Sequence, residues 1–439
     1  MIAEPLRAYM ERLQHCEPMV CAGKITDIVG LTVHAKGLRV HVGDLCYAES
    51  RRSKGTLPLE VVGFRNGHTL LMPLGELDGV APGSRVYPAV RARSVGASEG
   101  LLGRVLDSLG RPLDGSPLPP AEVYVPLLRE PPHPLTRRRI SEPLATGIRS
   151  IDAVATCGKG QRVAIMSGSG VGKSKLLGMI ARNTNADVNV IALIGERGRE
   201  VRDFLEADLG EAGLKRSVVV VATSNEPALR RINGAYVATA LAEYFRDQGA
   251  DVLLMMDSVT RFAMAHREVG LAVGEPPTTK GYPPSLYAVL PKLLERAGTA
   301  EHGSITGFYT VLVEADDLND PVGDAVRSIV DGHIALSRDL AGRGHYPPVS
   351  ILDSVSRLMM DVTTERHREL AARLRHIVAV YRDAEDLVNI GAYVAGSNPD
   401  IDAALRLMPS IQSFLRQGLY ETYSFDEIER LLSQALHES

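Results

Sequence analysis

The sequence predicts an α/β protein with a small N-terminal β-barrel and a C-terminal helical domain. Short β-branched runs broken by Gly, Asn and Pro fill the stretch after residue 22, as in a small antiparallel barrel. Farther on, apolar strand-like runs alternate with helical patterns, and in the last part only helical patterns remain. The predicted parts are an N-terminal segment, the barrel, the α/β core and the helical domain, at residues 1–22, 23–93, 94–362 and 363–439.

Composition limits the kinds of function. The chain has 439 residues, of which 45% are hydrophobic and 23% charged, as in soluble globular proteins of two or three domains. Its 49 Lys and Arg against 53 Asp and Glu give a formal net charge of −4. This balance argues against binding to nucleic acid or to an anionic membrane as the main role. Residues 137–139, all arginine, are the only compact basic stripe.

Cysteines and apolar runs indicate a cytoplasmic protein. The four cysteines, Cys16, Cys21, Cys46 and Cys157, have neither CxxC spacing nor a nearby histidine pair, so we expect neither a zinc site nor a disulfide framework. No apolar stretch approaches the roughly 20 residues that span a bilayer, and the first residues lack a signal-peptide core. We therefore expect neither export nor integration into a membrane.

The N-terminal segment has the pattern of an amphipathic helix. Leu6, Tyr9, Met10 and Leu13 follow helical spacing, with charged residues between them. This apolar face could pack on its own domain or dock onto a partner. Between the barrel and the core, residues 101–143 are rich in Gly and Pro and predict an extended connection that wraps a domain surface.

Continuous apolar runs predict the strands of the core. A parallel sheet covered by helices on both faces requires strands of this kind. The runs are VAIM, VNVIALI, SVVVVA, DVLLMM and ITGFYTVLV, at residues 163–166, 188–194, 217–222, 251–256 and 305–313.

The segment SGSGVGKS predicts a phosphate-binding loop, or Walker A motif, between a strand and a helix. Its glycines allow successive backbone N–H groups to turn toward phosphate oxygens, and the following helix adds its positive end. Lys173 would reach the β- and γ-phosphates of ATP, and the Ser174 hydroxyl would bind Mg²⁺. The strict motif begins with Gly where this chain has Ser167, which a turn with negative φ tolerates. The predicted ATP-binding residues of this loop are Ser167, Gly168, Ser169, Gly170, Val171, Gly172, Lys173, Ser174 and Lys175.

Two carboxylates follow apolar strands. Asp257 comes after DVLLMM, at the carboxyl edge of the sheet, where it could hold a magnesium-bound water or only cap the next helix. Glu196 comes after VNVIALI at the same edge and could polarise the water that attacks the γ-phosphate. Alternatively, Glu196 forms a surface salt bridge with Arg197 or Arg199. Together with the phosphate clamp, the two carboxylates predict a hydrolytic site.

Longer segments carry a family resemblance. SGSGVGKSKLLGMIAR, LIGERGREVRDF, LLMMDSVTRFAMAHREVG, GHYPPVSILDSVSR and, nearer the N-terminus, LLGRVLDSLGRPLDG closely resemble the flagellar export ATPases of type III protein secretion. That family is related to the catalytic subunits of rotary ATP synthases, and its virulence counterpart, the injectisome ATPase, is very similar. The resemblance covers nearly the whole chain. It implies a RecA-like P-loop ATPase core that hydrolyses ATP with Mg²⁺ as cofactor.

The resemblance also implies roles for single residues. The family's clamp falls on the Walker A residues, its catalytic glutamate on Glu196 and its metal-associated aspartate on Asp257. Arg357, in SVSR, matches the arginine that reaches into the neighbouring subunit's site. Tyr346 matches an aromatic residue that stacks on adenine, although it could also be a core tyrosine. Arg197 is expected to touch the γ-phosphate as a further catalytic residue.

One chain here combines features that rotary synthases divide between two types of subunit. It resembles the first type at Glu196 and the second at Arg357. We therefore predict a homo-oligomer, a six-membered ring with ATP sites at the subunit interfaces. Ser350 stands where the family usually has an acidic residue. We expect it to lie away from the clamp, where it leaves hydrolysis unaffected but could change a subunit contact.

Partners and location follow from the same resemblance. A stator-like negative regulator would contact the N-terminal helix, which makes docking the preferred interpretation of that helix. The C-terminal helical domain would meet export substrates, their chaperones and a stalk-like central protein. The ring would feed substrates into the export gate from the cytoplasm, peripherally associated with the inner membrane.

Three other functions compete with flagellar export. An injectisome ATPase shares the motifs, but VGEPPTTKGYPPSLYAVLP and VVGFRNGHTLLMPLGEL resemble the flagellar proteins more closely. A hexameric nucleic-acid translocase needs a basic, aromatic single-strand site, whereas the aromatic residues of the predicted barrel are only Tyr47, Phe64 and Tyr87. We therefore expect no nucleic-acid partner. A non-catalytic ring subunit would lack the catalytic carboxylate, which Glu196 supplies.

Overall fold

The computed structural model describes residues 22–50, 52, 55–89, 93–313 and 320–437. It divides the chain into two compact units, and the predicted N-terminal helix lies outside the described residues. The first unit contains the chain up to Arg93 together with Val269–Glu275, and the second contains Ser94–Glu268 and Pro276–Ser439.

In the first unit, antiparallel strands close into a barrel, which confirms the predicted barrel. The barrel strands are β1 (Gly23–Val29), β2 (Thr32–Lys36), β3 (Leu45–Glu49), β4 (Thr56–Arg65), β5 (His68–Pro73) and β6 (Arg85–Pro88). They pair in the order β1-β2-β5-β4-β3-β6, and β6 pairs back to β1. Alternating residues point inward and fill the barrel with small and β-branched side chains such as Val33, Ala35 and Val61. Closure leaves the sheet without an unpaired edge.

The second unit is built around a mostly parallel sheet. Its strands are β7 (Ser94–Ala97), β8 (Val105–Asp107), β9 (Val123–Pro126), β10 (Pro143–Leu144), β11 (Cys157–Gly158), β12 (Arg162–Ser167), β13 (Val188–Glu196), β14 (Ser217–Thr223), β15 (Asp251–Asp257), β16 (Gly298–Thr299), β17 (Ser304–Leu312), β18 (Gly332–Leu336) and β19 (Val349–Ser356). The main sheet has the order β19-β18-β12-β17-β15-β13-β14-β8, with β16 added beside β17. It is parallel from β18 to β8, and β19 runs antiparallel to β18. All of the predicted apolar runs are strands of this sheet.

One strand of the sheet comes from the predicted connection. Val105–Asp107 pairs in parallel with Val219–Val221 and forms an edge of the main sheet, whereas the sequence predicted only an extended surface segment there. Three residues are too few to show a periodic pattern, so the pairing depends on the neighbouring strand. The basic stripe of the connection is engaged within the chain, because Arg137 and Arg138 donate to backbone carbonyls of residues 295–303.

Helices cover both faces of the sheet. They are α1 (Arg149–Val154), α2 (Lys173–Asn183), α3 (Gly198–Asp203), α4 (Gly210–Lys215), α5 (Ala228–Asp247), α6 (Val259–Val273), α7 (Pro284–Leu294), α8 (Pro321–Ile329), α9 (Arg338–Gly342), α10 (Met359–Val362), α11 (Glu365–Asn389), α12 (Pro399–Leu415) and α13 (Ile428–Ala435). On β12, Ala164 and Met166 join one core with α5, α6, α7 and α8, while Val163 and Ile165 join another with α1 and α2. Because both faces are buried, the central strands are apolar at most of their positions.

The predicted helical region beyond Thr363 is confirmed. Leu370, Leu374 and Ile377 of α11 form a core with side chains of α12 and α13. Ala153 and Val154 of α1 belong to the same core, so these helices pack on the second unit. Among the described residues, no helix has the length and apolar character that crossing a bilayer requires.

Candidate active site

The phosphate-binding loop connects the end of β12 to the start of α2. Gly170 and Gly172 have φ angles of 77° and 104°, a region that side chains with a Cβ rarely adopt. Ser167 ends the strand, is buried and does not have a positive φ, which explains why serine is accepted where the strict motif has glycine. The loop therefore has the backbone shape that the sequence predicted.

Lys173, Glu196 and Asp257 come together at the carboxyl edge of the sheet. Lys173 is the first residue of α2, while Glu196 and Asp257 end β13 and β15. The Lys173 Nζ lies 3.4 Å from Glu196 Oε1 and also donates to Asp257 Oδ1. Parallel strands end at one edge, so residues distant in sequence converge there.

The cluster is poorly accessible to water. The side chains of Lys173 and Asp257 are 11% and 3% exposed. Burial opposes the charge of Lys173, but the carboxylates of Asp257 and Glu196 outweigh it and raise the pKa of the amine. Asp257 Oδ1 also accepts a hydrogen bond of 2.8 Å from Thr310 Oγ1 on the neighbouring strand. These contacts fix the carboxylate next to the phosphate-binding loop.

Glu196 has the electrostatic environment of a general base. Burial, followed by the nearby charge of Asp257, raises its pKa to about 7, although Lys173 acts in the opposite direction. A pKa near the working pH suits a group that accepts and returns a proton. The alternative salt bridge of Glu196 with Arg197 or Arg199 is wrong, because these arginines pair with Glu200 and Asp203 instead.

Two predicted site residues lie away from the carboxylate cluster. The Arg197 side chain is 78% exposed and its Nη1 lies 3.0 Å from Glu200 Oε1. Lys175 is also exposed and pairs with Asp208 at 3.6 Å. Lys175 nevertheless lines the cavity next to the loop that is described below.

Tyr346 borders a cavity of about 450 Å³ beside the phosphate-binding loop. Its side chain is 46% exposed, which excludes the alternative of a core tyrosine. A Cβ placed on Gly172 would lie 3.5 Å from the Tyr346 ring. Residues 417–419 also line this cavity, although the sequence did not single them out. That loop is held by the Gln417 backbone N–H, which donates to the Tyr346 carbonyl at 2.9 Å.

Arg357 lies at the opposite edge of the sheet from the clamp. It follows β19, whose reversed direction carries the chain from the Tyr346 side to the start of β18. The Arg357 N–H bonds to the Asp331 carbonyl, and the Asp331 N–H bonds to the Arg162 carbonyl. Arg357 therefore lies beside Arg162, at the start of β12. Because a strand rises about 3.3 Å per residue, roughly 17 Å along β12 separates this level from Ser167. An arginine side chain cannot span this distance within its own chain.

Ser350 lies closer to the clamp than the sequence predicted. It pairs with Ala335 on β18, which in turn pairs with Met166 on β12. A cavity of about 190 Å³ is lined by Ser350 and by Ser167 and Gly168 of the loop. The Ser350 hydroxyl donates to Asp353 Oδ2 at 2.5 Å, so a carboxylate three residues farther along β19 contacts this serine.

Arg261 is a further cation at the site that the sequence interpretation missed. It lies on the first turn of α6, after Asp257, and its side chain crosses the backbone of Gly195, where an added Cβ would come within 2.8 Å. Its Nε is buried and has no hydrogen-bond partner within the described residues. An arginine one helical turn after the strand-ending aspartate, in DSVTR, is the signal that could have indicated it.

Hard oxygen donors at the site suit a magnesium ion. Ser174 is the second residue of α2, and the buried Asp257 carboxylate ends β15. Magnesium prefers oxygen ligands and takes only one or two from the protein when phosphates and water supply the rest. The described residues contain no cluster of three or more His, Cys, Asp or Glu side chains that could hold a metal ion.

The fold and the site define a P-loop nucleotide-binding protein. Residues 147–356 match the nucleotide-binding domain of the ATP synthase alpha/beta family, and residues 363–434 match the T3SS EscN ATPase C-terminal domain. These two matches agree with the predicted core and helical region.

Similar proteins of known class define the family more closely. The chain is 53% identical over 407 residues to a flagellum-specific ATP synthase of Bacillus subtilis (strain 168), covering 92% of this chain and 93% of that protein. It is 48% identical over 413 residues to a type 3 secretion system ATPase of Xanthomonas euvesicatoria, covering 94% and 93%. The assembled ATPase EscN of enteropathogenic E. coli, solved in complex with its central stalk EscO, superposes with a TM-score of 0.87 at 43% identity over 94% of this chain and 100% of that chain. The chain belongs to the family of flagellum-specific ATP synthases and type 3 secretion system ATPases, which confirms the predicted family and its ATPase activity.

Proposed function

We propose that this chain hydrolyses MgATP as the ring-forming ATPase of a flagellar type III protein export apparatus. The observation that carries the proposal is the cluster of Lys173 with Glu196 and Asp257 at the end of the phosphate-binding loop. A cation beside two buried carboxylates is the arrangement that phosphoryl transfer to water needs.

Each residue of the cluster has a role in this proposal. The loop N–H groups and Lys173 bind the phosphates. Ser174 and Asp257 would hold the magnesium ion, which neutralises phosphate charge when bound. Glu196 orients the attacking water and accepts its proton. Tyr346 stacks on the adenine, a contact typically worth about 0.5–1.5 kcal/mol.

Two arginines support the phosphate end of the site. Arg261 lies beside the strand that ends in Glu196 and contributes positive charge from below the cluster. Arg197 is exposed on the other side of Glu196 and contacts the γ-phosphate only after it leaves Glu200. We assign it a weaker role for that reason.

The active site is completed by a second copy of the chain. Arg357 lies too far from its own clamp to act there, and it is exposed and forms no salt bridge with any described residue. In a homohexameric ring, each Arg357 would reach the site of the next subunit and stabilise transition-state charge. Such an arginine typically contributes about 10³–10⁵ in rate. The assembled state of EscN, a relative of this chain, supports a ring.

Further partners rest on the family. EscN binds a central stalk, and we propose a stalk-like partner for this chain as well. A stator-like regulator at the N-terminal helix, export chaperones and substrates, and the export gate at the inner membrane complete the proposal, with the protein located in the cytoplasm. The identity of 53% to a flagellar protein against 48% to an injectisome protein supports the flagellar assignment.

Mixing two inactive variants tests the shared site. Arg357→Ala keeps its own clamp but lacks the arginine, and Glu196→Gln keeps the arginine but lacks the base. Each alone is expected to lose hydrolysis by at least about 10²-fold, while their mixture recovers activity because some interfaces receive both groups. A mixture as inactive as its components would contradict the shared site.

Deleting the gene tests the flagellar role. We expect loss of the extracellular filament and of motility, restored by the wild-type chain but not by Glu196→Gln. A motile deletion strain that fails to secrete effectors into host cells would assign the chain to an injectisome instead.

A further inference from the structure

We propose that Gln161 is a positioning residue for Arg357, holding the end of β19 in the direction that the arginine needs to reach the neighbouring subunit. This inference rests on the proposed role of Arg357 in hydrolysis. Gln161 does not contact the phosphate-binding loop itself, since it lies just before β12, at the opposite end of that strand from Ser167.

Gln161 is a fully buried amide whose polar atoms all have partners. Its Oε1 accepts from the Gly158 N–H at 2.8 Å. Its Nε2 donates to the Asp331 carbonyl at 3.2 Å and lies 3.1 Å from Ser356 Oγ. Ser356 is the residue directly before Arg357, so the amide contacts the side chain that precedes the arginine at the end of β19.

Gln161 and Arg357 share one acceptor. The Asp331 carbonyl accepts from the Arg357 N–H at 2.9 Å as well as from the Gln161 side chain. The Asp331 carboxylate is held in turn by the Arg162 N–H and guanidinium, at 3.1–3.2 Å. Asp331 thus links the Arg357 N–H to Gln161 through its carbonyl and to Arg162, the first residue of β12, through its carboxylate.

The packing around this amide leaves no room for adjustment. A Cβ added to Gly332 would lie 2.5 Å from the Val355 carbonyl and 3.2 Å from Gln161 Nε2. In contrast, the Arg357 side chain has no ion pair with a described residue and is exposed, so its own contacts do not aim it. Its direction therefore depends on the backbone that Gln161 holds.

The orientation of the Arg357 side chain matters because the arginine acts in the site of the neighbouring subunit. A functional group must be held within about 0.5 Å of its productive position, and a displacement of about 1 Å can lower a rate by about 10²-fold. β12 carries the clamp of this chain at one end and the support of Arg357 at the other. Loss of the support should misplace the arginine while leaving the clamp intact.

The first test replaces the amide with a side chain of similar length. For Gln161→Met we expect kcat to fall by roughly 10- to 100-fold with the KM for ATP unchanged within about twofold. Asn189→Leu is the matched control, because Asn189 is a fully buried amide at the start of β13 that bonds to Ala181 and Ser217. It should lower Tm to a similar extent and leave kcat unchanged. An equal loss of kcat in both variants would overturn the inference.

A double-mutant cycle separates positioning from general damage. In an Arg357→Ala background, Gln161→Met should lower kcat by less than about twofold, because a misplaced arginine and an absent one are equivalent. If the losses multiply, Gln161 acts independently of Arg357 and the inference is wrong. If Arg357→Ala alone retains full activity, both the proposed shared site and this inference are wrong. The activity of that single variant therefore distinguishes failure of the shared site from failure of the inference alone.

Mixed rings give a readout that a folding defect would not produce. Gln161→Met keeps Lys173 and Glu196, so mixing it with Glu196→Gln should restore hydrolysis as mixing Arg357→Ala does. Ser356→Ala is a second variant that removes one partner of the amide without altering the core. It should show a smaller loss of kcat that also disappears in the Arg357→Ala background, and persistence of that loss there would overturn the inference.

Discussion

Asp152, on α1, is a buried carboxylate that joins two loops of the second unit. It accepts hydrogen bonds from the Thr146 hydroxyl at 2.6 Å, from the Gly147 N–H at 3.0 Å and from the Tyr423 hydroxyl at 2.5 Å. Burial nevertheless raises its pKa to about 6. The residue connects the start of the core to the chain that follows the wall of the Tyr346 cavity.

Asp152 makes stability depend on pH. Its folded pKa of about 6 is above the ordinary value of 3.8, so its stabilising contribution is complete below about pH 4 and is lost as the pH rises through 6. The difference corresponds to about 3 kcal/mol. Relative to wild type, Asp152→Asn should therefore gain up to about 3 kcal/mol in free energy of unfolding between pH 4 and pH 7.

Urea unfolding at a series of pH values measures this change. Glu211→Gln is a suitable control, because Glu211 is a fully exposed carboxylate paired with Lys215. A difference between wild type and Asp152→Asn that stays constant from pH 4 to pH 7 would contradict the prediction.

At the scale of elements, a buried ion pair links the connecting segment, residues 101–143, to the helices of the core. Arg296 follows α7 and binds Glu243 of α5 with two hydrogen bonds, at 2.8 and 2.7 Å. Both side chains are at most 2% exposed. The third contact of the guanidinium, at 2.7 Å, is to the Leu127 carbonyl just after β9. One arginine thus joins two helices and the connecting segment.

Removing one partner of this pair should be costlier than removing both. Arg296→Met leaves the Glu243 carboxylate buried with only Arg129 nearby, at 3.7 Å, and is expected to destabilise the protein by about 3–5 kcal/mol. The double variant Arg296→Met with Glu243→Leu should recover most of this loss, because it leaves no unpaired charge in the apolar interior. Thermal unfolding of the wild type, the single variant and the double variant tests this prediction. A double variant less stable than the single variant would refute it.

Elements with strong local patterns could be predicted from the sequence, and those defined by neighbours could not. Every residue of the run VNVIALI except Asn189 is apolar because both faces of β13 are buried, so its strand was evident. Val105–Asp107 and β19 have mixed patterns and depend on pairing partners. At the site, Glu196 and Asp257 were predictable because parallel strands end at one edge. Arg261 follows Asp257 by one helical turn and could have been predicted from DSVTR, whereas residues 417–419 border the Tyr346 cavity only through tertiary packing.

At the scale of the whole molecule, catalysis should depend on assembly. The clamp and Arg357 lie at opposite edges of one sheet, so with the proposed role of Arg357 a site is complete only when a second chain supplies the arginine. Specific ATPase activity of the wild type should therefore rise steeply with protein concentration.

Hydrolysis rates over a dilution series, with oligomeric state followed in parallel, measure this dependence. For Arg357→Ala the rate per chain is expected to stay low and nearly independent of concentration, since assembly adds nothing to its sites. A wild-type rate per chain that is constant down to the monomeric range would contradict the proposed shared site.

The reversed direction of β19 also determines which assemblies are productive. In the proposed ring, each contact joins the clamp surface of one subunit to the Arg357 surface of the next, head to tail. An open string of n subunits contains n − 1 complete sites, and closing the string adds the last site without adding a subunit. Ring closure therefore increases the ATPase activity per chain. Each chain gives its Arg357 to one neighbour and receives an arginine from the other.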